Sequence, residues 1–301
     1  MFDWNDLRYF LAVAREGSTI GAASALKVNQ STVQRRLAAL EEAIGSQLVE
    51  RTPTGYRLTE KGLALRPHAE AVEIAVAAFR RQLASVDDVA TGTIRVTAPE
   101  GIAYLILTPL LGKFHTLHPR LKVDVILTDR ILDLSNGDAD IALRAAPLED
   151  SALIGRKIAD LAWGFYASRS YAERQGSMSD PEDINRHAVI QFDRELADIQ
   201  VSKWLRGIVT EAPIAARCSS VSGALLTVKS GVGVALLPSH IGDTEKDLVR
   251  LFGPLKDIVS GCYLIAHPDL HKTPRVRAFF DFMIEEIEQF RPMLLGRTSA
   301  Q

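Results

Sequence analysis

Four side chains within six positions, Gln30, Ser31, Gln34 and Arg35, bring together two primary amides, a hydroxyl and a guanidinium. Groups of this kind read base edges: a glutamine amide pairs with adenine at two points, and an arginine fork reaches guanine or a phosphate. Their spacing sets them on one side of a helix. Val33, Leu37, Leu40 and Ile44, at intervals of four, three and four, claim the other side for a core. Thr32 joins the group as a phosphate-contacting hydroxyl. Arg36 lies nearer the apolar edge and reaches towards backbone phosphate or glutamate partners. A second group, Arg51, Thr54 and Arg57, flanks a Thr-Pro-Thr-Gly turn and offers phosphate or minor-groove contacts, with Arg51 as well suited to pairing inside its own domain.

The elements that must hold these groups can be read around them. Leu7, Phe10, Leu11 and Ala14 give a first helix from Asn5 to about Arg15, stopped by Gly17. Ser18 caps a short helix over 19–26, built from small residues that let a neighbour approach. A three-residue turn, Lys27-Val28-Asn29, leads to the helix carrying the reading face, from Gln30 to Ile44, which Gly45 ends. Two short strands, 48–51 and 56–59, then enclose the Pro/Gly tip as a wing. The whole is a winged helix-turn-helix, whose second helix enters the major groove.

The 301-residue chain carries a net charge of −2, so bulk charge does not announce a nucleic-acid partner. Its distribution does: residues 17–40 and 51–59 contain no acid, yet hold Lys27, Arg35, Arg36, Arg51 and Arg57. The hydrophobic fraction of 47% and charged fraction of 24% are those of a soluble globular protein. No apolar run approaches the roughly 18–20 residues of a membrane span, and the N-terminus lacks a basic signal-like region. A cytoplasmic protein without membrane contact is expected. Cys218 and Cys262 match no zinc spacing and are too few for a disulfide framework.

Beyond the wing, Leu65, Ala69, Val72, Val76, Phe79, Leu83 and Val86 alternate spacings of four and three, a heptad seam suited to self-association. Pro67 should kink this linker helix or mark a break near its start. From Thr93 the pattern changes to strands alternating with helices, which indicates an α/β domain with parallel or mixed sheets. The strands are expected at 94–98, 121–128, 139–144, 161–167, 188–192, 233–237 and 260–266. Helices are expected at 102–114, near 131–134, and at 169–175, 224–230 and 275–290.

The ordered matches Leu7-Arg8-Tyr9-Phe10-Leu11-Ala12-Val13-Ala14, Gly17-Ser18, Ala22-Ala23, Asn29-Gln30-Ser31-Thr32-Val33 and Leu58-Thr59-Glu60-Lys61-Gly62 resemble the LysR-type transcriptional regulators. Val96-Thr97-Ala98-Pro99, Asp138-Ala139-Asp140-Ile141-Ala142 and Gly231-Val232-Gly233-Val234-Ala235-Leu236-Leu237-Pro238 extend the resemblance through the second half. Gln34-Arg35 departs from the Ser-Arg often found there, which implies an atypical half-site. The resemblance implies three regions: 1–60 as the winged helix-turn-helix, 61–91 as a dimerising linker, and 92–301 as a two-lobed effector-binding domain like a periplasmic binding protein. Lobe I would hold 92–160 and 268–295, and lobe II 165–262, joined by the strands at 161–167 and 260–266.

An effector pocket is then expected in the interlobe cleft, where strand ends and helix N-termini converge. Its candidates are Thr97, Ala98, Pro99 and Glu100 with Ile102 on one lobe, Ser219, Ser220 and Ser222 with Phe192 on the other, and Thr128 and Asp129 by resemblance. Free N–H groups at two helix starts favour a small organic anion. The implied partners are an operator duplex, the effector, a second copy of the chain pairing further into a tetramer, and RNA polymerase. No cofactor is expected. His115 and His118 are too few for a metal site, Gly231-Val232-Gly233 lacks a dinucleotide fingerprint, and Asp138 and Asp140 suit a turn rather than catalysis, so no enzyme is expected. The competing reading is a cytoplasmic solute-binding or sequestering protein that no longer reads DNA.

Overall fold

The computed structural model describes residues 3–53, 55–84, 90–145, 152–256 and 258–297, without side chains at 78, 80–84 and 195. The chain divides into two compact units, Met1–Arg80 and Arg81–Gln301, and the division falls inside the linker helix.

In the first unit, α1 (Asp6–Glu16), α2 (Thr19–Leu26) and α3 (Gln30–Ile44) start and stop where local chemistry directs. Gly17 and Gly45 end α1 and α3 in the left-handed conformation. The Ser18 hydroxyl accepts from the Gly21 N–H at 2.9 Å and so caps α2. Phe10, Leu11, Val33, Leu37, Leu40 and Leu48 pack as the core. Strands β1 (Val49–Thr52) and β2 (Gly55–Leu58) pair antiparallel as the wing. Two contacts aim it. The Glu41 carboxylate accepts from the Leu48 and Val49 N–H groups at 2.7 and 3.1 Å. The Tyr56 N–H donates to the Gly17 carbonyl at 2.8 Å. Gly55 is required beside that bond: its φ is +138°, and a Cβ there would stand 2.4 Å from the Gly17 oxygen.

Helix α4 (Glu60–Ala84) continues through Pro67, so of the two expected effects, a kink or a break, the break does not occur. Ala69 is buried in the first unit's core, and the Arg15 guanidinium clasps the Glu73 carboxylate at 2.5 and 3.2 Å. The start of α4 is therefore fixed by its own domain, which compensates the hydrogen bond that Pro67 cannot donate.

The second unit builds one extended sheet in the order β4-β3-β5-β11-β6-β9-β7-β8, with β10 paired to β6. Its strands are β3 (Gly92–Ala98), β4 (Leu121–Leu127), β5 (Ile141–Arg144), β6 (Ile154–Ser168), β7 (Val189–Phe192), β8 (Ile214–Cys218), β9 (Val234–Pro238), β10 (Leu248–Phe252) and β11 (Val259–Ala266). Strands β3, β4 and β5 are mutually parallel, as are β7, β8 and β9. Two separate apolar cores underlie these halves, one around Phe114, Phe279 and Met283, the other around Phe165, Tyr166 and Val228. Strand β6 serves both: its first half pairs with β11, and its second half with β9 and β10. It begins seven residues earlier than its apolar run suggests, because the exposed residues 154–157 are held by the β11 ladder before Ile158 and Ala159 enter the core.

The helices are α5 (Glu100–Ile102), continuing through a π-helical turn (Ala103–Leu107) into α6 (Thr108–Leu117), then α7 (Arg169–Gln175), α8 (Gln200–Ile208), α9 (Val221–Lys229) and α10 (Ser239–Gly242). The chain closes with α11 (Pro268–His271), α12 (Pro274–Glu286) and α13 (Arg291–Leu294). The helix expected near 131–134 is irregular chain. The Asp133 and Asp138 side chains accept backbone N–H groups there and hold turns in its place. Helix α8 and strands β8 and β10 were missed in the sequence, although Val201, Trp204, Leu205 and Ile208 repeat at helical spacing along α8. Cys262 lies in the first core, where burial pushes its thiol up to about 12, and Cys218 is half-buried with Sγ 3.4 Å from the Thr227 hydroxyl.

Candidate DNA interface and effector cleft

On α3, Val33, Leu37 and Leu40 turn into the core, which leaves Gln30, Ser31, Gln34 and Arg35 exposed and Thr32 half-buried. Gln34 and Arg35 make no side-chain hydrogen bond or ion pair among the described residues, so both present their full donor sets outward. Gln30 differs: its amide donates to the Thr19 hydroxyl at 2.9 Å, tying the two helices of the motif together. Arg36 is committed inside the domain, to Asp6 at 3.2 Å and Asp3 at 3.4 Å. The expected glutamate partners are thus aspartates of the first helix and its entry.

The wing reverses the expected division of labour. Arg57 is the arginine paired within the domain, to Glu50 across the strands at 2.6 Å. Arg51 is exposed and unpaired among the described residues. Thr54 lies outside the described residues.

Of the linker seam, Phe79 is 72% exposed, Leu65 and Val72 are also exposed, and Val76 is half-buried. Ala69 is a correction: it packs into the first unit's core and offers nothing to a partner helix. The Leu83 side chain and Val86 lie outside the described residues.

In the second unit, β3, β4 and β5 end together, and α5 leaves the end of β3 to lie beside α9 of the other half. Gly101 sits against Ile241 of α10, where a Cβ would meet the Ile241 side chain at 2.4 Å. The ends of these strands and the starts of α5, α9 and α10 are therefore brought together where the two halves meet, at the place expected for the cleft.

Thr97 is wholly buried, and its hydroxyl accepts from the Arg144 guanidinium at 3.0 Å. The same guanidinium donates to the Thr128 carbonyl at 2.6 Å and the Arg130 carbonyl at 2.8 Å. Arg144, at the end of β5, was missed in the sequence. Its signal was present, as a cation closing an apolar strand beside two other strand ends. Ala98 is buried, while Pro99, Glu100, Thr128 and Asp129 are half-buried around the same edge.

Across the cleft, Ser220 caps α9 by accepting from the Gly223 N–H at 3.0 Å. Ser222 belongs to the first turn of α9 rather than preceding it, and Ser219 is exposed. Ile102 and Phe192 are corrections. Each is a core residue of its own half, Phe192 stacked edge-on to Trp163 at 6.3 Å, so neither forms a cleft wall. Among the described residues no cluster of metal-ligating side chains occurs, and no helix is long and apolar enough to cross a membrane.

Comparison with known proteins places both units. Residues 4–63 match the family model described as "Bacterial regulatory helix-turn-helix protein, lysR family", and residues 87–288 match "LysR substrate binding domain". An HTH-type transcriptional regulator of Xanthomonas campestris is 29% identical over 95% of this chain and 86% of its own length. The full-length Vibrio cholerae virulence activator AphB, a member of the LTTR protein family, superposes with a TM-score of 0.64 at 21% identity, covering 94% of this chain and 99% of that one. Full-length CbnR, solved with its target DNA, superposes with a TM-score of 0.58 at 22% identity, over 94% of this chain and 99% of that one.

Proposed function

The chain belongs to the LysR family of DNA-binding transcription regulators, which carry an effector-binding domain and are not enzymes, and from that premise we propose how its particular residues do this work. Gln34 and Arg35 read base edges in the major groove, with Gln30, Ser31 and Thr32 at the groove entrance and Arg51 on flanking phosphate. The observation that carries this reading is the bare outer face of α3. A donor-rich surface without partners of its own is what a duplex needs, whereas Arg36 and Arg57 spend their charge inside the domain. CbnR, solved with its target DNA, supports the placement of this motif on an operator.

Copies of the chain pair along α4 through Phe79, Val72 and Leu65, and pairs join into tetramers that contact RNA polymerase in the cytoplasm. The effector is a small organic anion in the interlobe cleft, and its binding changes how paired reading helices meet their half-sites. A ligand shifts that equilibrium only through its differential affinity for the two arrangements.

The test joins three measurements on the full chain. Footprinting on its own upstream DNA should protect a two-fold site, sedimentation of Phe79→Asp should show a smaller oligomer, and a panel of carboxylates should alter operator affinity. An unchanged oligomer in Phe79→Asp rejects the α4 pairing. A protein indifferent to DNA sequence rejects the reading face.

A further inference from the structure

The three parallel strands of the first lobe deliver Thr97, Thr128 and Arg144 to a single edge, and Arg144 is the charged group among them. Its guanidinium has five N–H donors. Three are spent, on the Thr97 hydroxyl and on the Thr128 and Arg130 carbonyls. All three acceptors are neutral. No carboxylate stands within 4.0 Å of it among the described residues, and Asp129 is the acid that acts on it, from farther away. Burial holds its pKa below the usual arginine range, and Asp129 offsets only part of that cost. A desolvated cation with neutral acceptors and two N–H groups to spare is incomplete, and a carboxylate is the group that completes it.

A second observation bears on what else the ligand carries. The segment that Arg144 holds through the carbonyls of residues 128 and 130 continues directly into Ile131, which is 92% exposed, the most exposed large apolar side chain among those described. An isoleucine on irregular chain beside these strand ends, almost uncovered among the described residues, gains by covering an apolar surface brought to it. Glu100 opens the helix at the same edge, so a second negative charge on the ligand would meet an acid of the protein.

We propose that Arg144 anchors the effector, binding the carboxylate of a monoanion whose apolar tail Ile131 covers. This rests on the small-anion reading above and adds the residue, the charge and the tail. The guanidinium links the bound carboxylate to the 128–131 segment. Occupancy therefore tightens the rim of the cleft as well as filling it.

Calorimetry on the full chain tests this, using straight-chain monocarboxylates from acetate to octanoate and their matching amides. Affinity should rise with chain length, and each amide should bind at least about 100-fold more weakly than its acid. Arg144→Lys, which keeps the charge and loses the fork, should bind about 10-fold more weakly, and Arg144→Met at least about 100-fold. Ile131→Ser, at an exposed position that does not threaten folding, should leave acetate unaffected and abolish the gain with chain length. The Arg144 variants should lose preference for acid over amide to the same degree, whereas loss of a merely structural arginine would weaken acid and amide alike. Wild-type binding retained in both Arg144 variants overturns the anchor and leaves the anion reading standing. Absence of any carboxylate binding overturns both. Equal chain-length dependence in Ile131→Ser removes the apolar tail.

Discussion

The reading helix and the effector cleft handle polar side chains in opposite ways. On α3, Gln34 and Arg35 are exposed and unspent, since the helix needs only its apolar side to stay folded. In the cleft, the polar groups at the strand ends and at the start of α9 work for the fold: Thr97 and two carbonyls hold Arg144, and Ser220 caps α9. A DNA-reading face can stand idle because it lies in water, whereas a polar group in a cleft is half-desolvated and costs stability unless it is hydrogen-bonded. One surface waits for its ligand empty-handed. The other must exchange internal partners for it, or use donors left over.

The largest effect that would break this contrast is at Arg35. Arg35→Ala should cost about 1–3 kcal/mol per half-site in specific affinity, doubled on a two-fold operator, with unchanged thermal stability. Footprinting with the wild-type sequence preference would place the reading elsewhere.

The next effect belongs to the effector domain, which buries the groups that the first unit leaves wet. His240 on α10 is wholly buried, both ring nitrogens lack a partner among the described residues, and burial pushes its pKa down to about 4. The folded domain thus refuses a proton that the unfolded chain accepts near 6.5. Its stability should be full above about pH 6.5, fall as pH drops, and level off below about 4, for a total of about 3 kcal/mol. His187, lowered by burial too, acts in the same direction. Denaturation of a Trp4→Phe chain, followed by the fluorescence of Trp163 and Trp204, reads this domain, and His240→Leu should flatten most of the dependence. An unchanged profile in His240→Leu would assign it to other groups.

A smaller effect separates the serines of the cleft. Ser220→Ala should destabilise the effector domain by about 1 kcal/mol through loss of the α9 cap, while Ser219→Ala should leave it unaltered. Equal melting shifts in the two would show that Ser220 is not acting as a cap.

The smallest lies on the wing. Arg51→Ala should lower the salt dependence of operator binding by about one counterion, and Arg57→Ala by less, since Glu50 already pairs with Arg57. The reverse order would return the phosphate contact to Arg57.

The same contrast explains what could be read in the sequence. The boundaries of α2 and α3 were legible because Ser18, Gly45 and an apolar side repeating along α3 act within a few residues. The exposed face followed as the remainder of that helix. The cleft joins strand ends that lie tens of residues apart, so Arg144 could not be seen to close over Thr97, and Ile102 and Phe192 read as cleft walls when each completes a core. An ion pair set by tertiary approach was equally hidden, since nothing local foretells Arg36 turning to Asp6, whereas Arg57 taking Glu50 follows from the register of the wing hairpin, which sets those two residues opposite each other.

Strand β6 has a mechanical consequence. Its 15 residues run without a break from the ladder of one core into that of the other, and the Trp163 indole N–H, donating to the Ser260 hydroxyl at 3.0 Å, rivets it to its antiparallel companion where the two halves meet. A joint made of loose loop swings freely and stores nothing. A joint made of hydrogen-bonded strand behaves as a torsion spring: the halves rotate through small angles against a restoring force, and they return when released. An effector held between them, as proposed above, would therefore work against stiffness built into the backbone, and its departure would reset the domain without any other input.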